Sequence, residues 1–217
     1  TIPKEIEGLY SNNTALFSAT IPKEIEGLYS NYMNNPTVLN IRSKVFNRDK
    51  ISEKYFNVDR EEKFKYLLKS LYAFTDESAI IFCNTKDSVR NLSSLLKKEK
   101  ISVKELHGDM DQKDRLATME NFKNKEFKVL VATDVAARGI HINHITNVFN
   151  YEVPIEKESY VHRIGRSGRG DKKGLAISLV SKGERRFLNE IEEYINYSIE
   201  EANLPEYEEI IEGRKRF

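Results

Sequence analysis

Within Tyr160-Val-His-Arg-Ile-Gly-Arg-Ser-Gly-Arg-Gly170, the arginines Arg163, Arg166 and Arg169 recur at every third position, with Gly165, Gly168 and Gly170 set among them. A guanidinium is permanently charged and presents a planar fork of donors that matches phosphate oxygens. Glycine lets backbone come close to a ligand, and four of the ten glycines fall between Gly165 and Gly174. The stretch reads as a cationic surface open to an anion, with a solvated basic loop as the plainer alternative. Upstream, Val129-Leu-Val-Ala-Thr-Asp-Val-Ala-Ala-Arg-Gly-Ile140 is an apolar run that stops at Thr133-Asp134 and turns into Arg138-Gly139. Such a run is expected to be a strand buried on both faces. Its polar pair then falls at the carboxyl end, where open α/β sheets bind ligands.

Two more blocks precede these, Ser18-Ala-Thr20 and Ile80-Ile-Phe-Cys-Asn-Thr85. In this order and spacing the four blocks resemble the later motifs of the DEAD-box RNA helicases, from about Thr14 to Ile195. The stretch from Glu184 to Ile195 and on to Leu204-Pro205 is most similar to the bacterial DbpA/YxiN type. The resemblance implies an α/β fold: a RecA-like, doubly wound, mainly parallel sheet with helices on both faces. It also implies a division of the chain. Residues 1–41 would be a remnant of a first RecA-like domain, 42–50 a linker, 51–200 the C-terminal RecA-like helicase domain, and 201–217 a tail toward a C-terminal extension.

Roles carry over by position. Arg166 and Arg169 match the catalytic arginines that the family points at the γ-phosphate of ATP, and Gly139 and His141 fall at nucleotide-binding positions. The family usually has Asp where His141 stands, against the ribose; imidazole accepts or donates one hydrogen bond, whereas carboxylate only accepts. Ser18, Thr20 and His162 match interdomain coupling positions, with a capping or core histidine as the alternative at His162. Thr85, Gly108, Asp109, Arg115, Thr133 and Asp134 match places where the family grips the RNA sugar-phosphate backbone, groups that position a strand without reading bases. For Thr85 and Asp109 the alternative is cap or turn chemistry. Arg163 is expected to be the structural member of the three arginines.

The implied partners are RNA, bound through its backbone, and the first RecA-like domain of the same protein, with ATP and Mg2+ as cofactors of the complete enzyme. The chain contains no phosphate loop and no Asp-Glu-Ala-Asp, so no ATP hydrolysis is expected of it alone. The resulting expectation is the C-terminal half of an ATP-dependent RNA helicase serving local duplex unwinding in ribosome assembly, monomeric and cytoplasmic. The rival is a non-catalytic RNA-binding or partner-docking module of the same fold. His141 and His144 have no third ligand in sequence, so no metal site is expected.

The elements that must position these groups follow from composition and periodicity. Of 217 residues, 39% are hydrophobic and 32% charged, with net charge +1, enough for an ordinary core under a soluble surface. Charge is sorted along the chain: residues 160–173 hold five Lys/Arg against one Asp, while Glu190 to Glu212 hold nine Glu and no Lys or Arg. The one cysteine, Cys83, lies inside an apolar run and reads as core. No stretch is long and apolar enough to span a bilayer. Thr1 to Asn12 is repeated without change at Thr20 to Asn31, an identity and offset unlike a structural repeat, and no function is assigned to the first copy.

From Ile51 strands alternate with helices, the pattern of a parallel sheet with crossovers. Strands are expected at Tyr55–Val58, Ala79–Cys83, Ser102–Leu106, Lys128–Ala132, Thr146–Asn150 and Gly174–Val180. Helices are expected at Glu61–Phe74, Asp87–Lys98, Gln112–Phe122 with Leu116 and Met119 inward, Ser159–Ile164, and Gly183–Ile195 with Phe187, Leu188, Ile191 and Ile195 inward. Before Ile51, a strand at Thr14–Ser18, a helix at Ile21–Met33 and a strand at Thr37–Ile41 complete the expectation.

Overall fold

The computed structural model describes residues 50–74, 78–138, 145–168 and 173–203, together with Met33 and Thr37. The elements expected before Ile51 lie outside the described residues. The chain divides into two compact units, Thr1–Ser43 and Lys44–Phe217, and everything below belongs to the second.

Its sheet has seven strands: β1 (Ile51–Asn57), β2 (Ala79–Cys83), β3 (Val103–Leu106), β4 (Val129–Thr133), β5 (Asn147–Asn150), β6 (Gly174–Val180) and β7 (Glu200–Glu201). They lie in the order β3-β4-β2-β5-β6-β1-β7, and every pair is parallel. All carboxyl ends therefore share one rim. β2 is central, with Ala79 opposite both Val129 and Asn147. All five of its residues are buried, as a strand covered on both faces requires.

The crossovers are α1 (Lys63–Phe74), α2 (Lys86–Lys98), α3 (Gln112–Lys123), the single turn α4 (Asp134–Ala137), α5 (Lys157–Ile164) and α6 (Arg185–Ile195), with 3-10 turns at Arg60–Glu62 and Lys182–Glu184. Strand residues alternate between two cores. Ala79, Ile81 and Cys83 pack with Leu67 and Leu71 of α1 and Val89, Leu92 and Leu96 of α2. Ile80 and Phe82 pack with Phe122 of α3, Ala136 of α4, Tyr160 and Ile164 of α5, and Leu188 and Ile191 of α6. Each fully buried large side chain contributes about 1.5–3 kcal/mol, so the two faces hold the helices in place independently.

One expectation is corrected. Leu116 is 56% exposed, and α3 buries Phe122 with Met119 only partly covered. The helix lies over the edge strand β3, where little of its surface is needed to close the core. The sequence also carried no signal for β7. Its two glutamates pair beside β1 through backbone bonds, with Tyr55 Oη donating to Glu201 (2.8 Å) and Lys54 Nζ 3.6 Å from Glu200.

Candidate functional site

Arg163 is the centre of the carboxyl rim. Its side chain comes from the last turn of α5 and is 1% exposed. Nε and Nη2 donate to the two carboxylate oxygens of Asp134, each at 2.7 Å, and Nη2 also donates to Asn84 Oδ1 at 2.8 Å. Nη1 donates to the Glu152 carbonyl at 2.7 Å and to Asn150 Oδ1 at 3.2 Å. A guanidinium has five N–H groups, and five acceptors meet them. The group also lies over the Phe82 ring, 5.2 Å from its centroid. Arg163 is thus wholly committed to joining α5 to the ends of β2, β4 and β5.

The acceptors are themselves held. The Asn84 backbone N–H donates to Glu152 Oε2 (2.6 Å) and its Nδ2 to the Val153 carbonyl (2.9 Å). Ser88 Oγ donates to Glu152 Oε1 (2.7 Å), and Asn150 Nδ2 donates to Ser178 Oγ (3.0 Å). Asn84, Asn150 and Glu152 received no role from sequence reasoning. The available signal was an asparagine at the end of a wholly apolar strand, a polar group that must find partners if buried.

Three of the positions matched to RNA contacts stand on neighbouring strand ends, β3, β4 and β2, an arc of about 10 Å at the usual strand spacing. At β2, Thr85 caps α2: its Oγ1 accepts from the Ser88 N–H (3.1 Å) and donates to Ser88 Oγ (3.0 Å). At β4, Thr133 stands at the N-cap of α4 but its side chain makes no capping bond, and Asp134 next to it gives both oxygens to Arg163.

Beyond β3, Gly108 is exposed, and a Cβ there would meet nothing within 4 Å. Asp109 accepts from Lys86 Nζ (3.0 Å) and Arg90 Nη2 (2.6 Å), and these bonds, Lys86 first and Arg90 next, hold its carboxyl below the usual carboxylate range. Arg90 also pairs with Asp87. Two buried nitrogens in this segment have no hydrogen-bond partner, His107 Nδ1 and Arg115 Nε. A buried polar atom left unsatisfied costs about 1–3 kcal/mol.

Arg166 lies just beyond the same C-terminal turn of α5, three residues after Arg163. Its Nε donates to the His162 carbonyl (3.2 Å), and His162 is exposed. Next to it, Ser167 Oγ donates to the Thr146 carbonyl (2.6 Å), just before β5. Gly168 has φ +67°, and a Cβ there would fall 2.6 Å from Ile51 Cγ1. A Cβ on Gly174 would fall 2.1 Å from Ser167 Oγ. These two glycines seat the arginine loop against the starts of β1, β5 and β6. One helix of eight residues thus reaches the carboxyl rim through Arg163 and leads into a loop whose Ser167 and Gly168 sit at the amino ends of the strands. Ser18, Thr20, Gly139, His141 and Arg169 lie outside the described residues.

Among the described residues no three or more His, Cys, Asp or Glu are grouped to hold a metal ion, and no helix is long and apolar enough to cross a membrane. Cys83 is fully buried and desolvation pushes its thiol well up, so it is inert core.

Residues 62–171 match the family described as the helicase conserved C-terminal domain. The ATP-dependent RNA helicase DbpA of Bacillus subtilis is 44% identical over 204 residues, which is 94% of this chain and 43% of that protein. The chain therefore spans less than half the length of this curated relative. Among solved structures, the Escherichia coli DEAD-box protein SrmB bound to regulator of ribonuclease activity A is 35% identical, with a TM-score of 0.68 over 71% of this chain and 91% of that one. Saccharomyces cerevisiae Dbp5 bound to RNA and ADP BeF3 is 31% identical, with a TM-score of 0.79 over 92% of this chain and 54% of that one.

Proposed function

The chain belongs to the helicase conserved C-terminal domain family, as a C-terminal domain of the DEAD-box RNA helicases, and from that membership we propose that it is the second lobe of an ATP-dependent RNA helicase. In this reading residues 1–41 are the remnant of the first lobe, 42–50 the linker, 51–200 the working domain and 201–217 a tail toward a further extension. The observation that carries the proposal is the Arg163 hub: one buried guanidinium ties the helix that bears His162 and leads into Arg166 to the rim bearing Thr133 and Asp134. A load on the rim is then felt by the arginine loop.

On the rim, the Thr133 hydroxyl, the backbone at Gly108 and the Arg115 guanidinium grip the RNA backbone without regard to sequence. Thr85 and Asp109 hold the first turn of α2 and the turn after β3 in place, and Asp134 acts through Arg163. In the loop after α5, Arg166 and Arg169 deliver positive charge to the γ-phosphate of a nucleotide, with Gly139 and His141 beside its ribose, and Ser18, Thr20 and His162 relay closure between lobes. The donors here suit phosphate, while the metal carboxylates and phosphate loop belong to the first lobe, so ATP with Mg2+ is held chiefly there. Bound together, the two ligands favour the closed arrangement, which strains one strand out of a duplex. Ribosome assembly is the proposed setting.

The test supplies the matching first lobe. RNA-stimulated ATPase should fall by about three powers of ten or more in Arg166→Ala, the lower range for an arginine finger. Arg115→Ala should instead weaken RNA binding and reduce the salt slope by about one. Equal ATPase rates for wild type and Arg166→Ala would overturn the finger assignment.

A further inference from the structure

Away from both ends of the site, α5 and α6 pack side by side. Between the loop entering α5 and the last turns of α6 is a groove of about 340 Å³, lined by Ile155, Glu156, Lys157, Glu190, Glu193 and Tyr194. Ile155 is 58% and Tyr194 45% exposed, and neither belongs to the cores on the two faces of the sheet. They are the apolar floor.

The rim is acidic and uncommitted. Glu156 stands at the N-cap of α5, yet its carboxylate makes no capping bond. Glu190 and Glu193, three apart on α6, share one face of that helix, and neither their carboxylates nor that of Glu156 makes a hydrogen bond or ion pair among the described residues. The single cation, Lys157, already lies over the Tyr194 ring, its Nζ 5.5 Å from the centroid. Three carboxylates against one engaged ammonium repel a phosphate backbone, so this face disfavours RNA. It matches the opposite chemistry.

We propose that the groove docks a basic segment of a protein partner. Its Lys or Arg side chains reach Glu156, Glu190 and Glu193 while one apolar or aromatic side chain fills the floor between Ile155 and Tyr194. Long basic side chains suit this geometry because their stems cover apolar surface while their heads meet the carboxylates. The buried anchor supplies affinity and the charges supply orientation. Because Lys157 opens α5 and His162 and Arg163 close it, the occupant bears on the helix that carries the arginine loop.

A random dodecapeptide library displayed on phage, panned against the 217-residue chain and counter-selected on the Glu190→Lys/Glu193→Lys variant, tests this. Recovered peptides should carry several Lys or Arg residues around one apolar or aromatic residue. In fluorescence anisotropy, the double charge reversal should weaken them about tenfold or more, the weakening should grow less marked at high salt, and Ile155→Asp should act similarly. All three positions are exposed, so thermal unfolding should be unchanged. Failure to enrich any peptide, enrichment of acidic sequences, or binding indifferent to both variants would overturn the proposal. A uridine homopolymer that displaces the recovered peptides and is itself weakened by Ile155→Asp would reassign the groove to nucleic acid.

Discussion

Replacing Arg163 by lysine keeps the charge and removes the fork, which isolates what the hub contributes. Lysine offers three donors where five N–H groups are now used, so at least two of the acceptors around it lose their partner. At about 1–3 kcal/mol for each orphaned buried group, Arg163→Lys should destabilise the chain by about 2–6 kcal/mol. Arg163→Met should cost at least as much, because all five acceptors then lose their donor. Each kcal/mol lowers Tm by about 2–4 °C in a domain of this size, so the lysine variant should melt at least about 4 °C below wild type. Urea unfolding gives the free energies, and a double-mutant cycle with Asp134→Asn should return a coupling of about 1 kcal/mol or more. A lysine variant within about 0.5 kcal/mol of wild type, the range of an ordinary surface change, would refute the hub.

Gly174→Ala places a Cβ 2.1 Å from Ser167 Oγ and 2.6 Å from the Gly168 nitrogen, and should cost about 1–3 kcal/mol by overpacking; Gly183→Ala, with nothing within 4 Å, should be neutral or mildly stabilising in the same urea assay. Burial raises the Glu184 carboxyl, but Lys63, reinforced by Ser181, outweighs this and holds it below its usual range. A depressed carboxyl contributes stability above its unfolded value and loses it as pH falls through the folded one. The urea midpoint should therefore drop below about pH 4.3 more steeply in wild type than in Glu184→Gln, and parallel acid limbs would exclude this. Cys83, fully buried with its thiol pushed up by desolvation, should resist maleimide in the native chain and react only on unfolding.

The apolar runs at Ala79–Cys83 and Gly174–Val180 marked their strands to the residue, and the helical periodicity of α6 marked Leu188 and Ile191 as side chains that turn inward. Those are local properties, fixed by the pitch of the chain and the apolarity of its side chains. The motif blocks were equally legible, because residue types in order along a chain are what sequence records. The partners of Arg163 were not. Asn84, Asp134, Asn150 and Glu152 are 11 to 79 residues away from it, and nothing in their spacing reveals that strand order brings β2, β4 and β5 together. The same holds for Leu116, whose exposure follows from the position of α3 over an edge strand, and for β7, which exists only because β1 offers an open edge. Sequence alone determined the alternation of elements and the chemistry at their ends. Tertiary structure decided which of those groups spend their hydrogen bonds on one another, since pairing of buried donors and acceptors depends on distances that only the packed sheet sets.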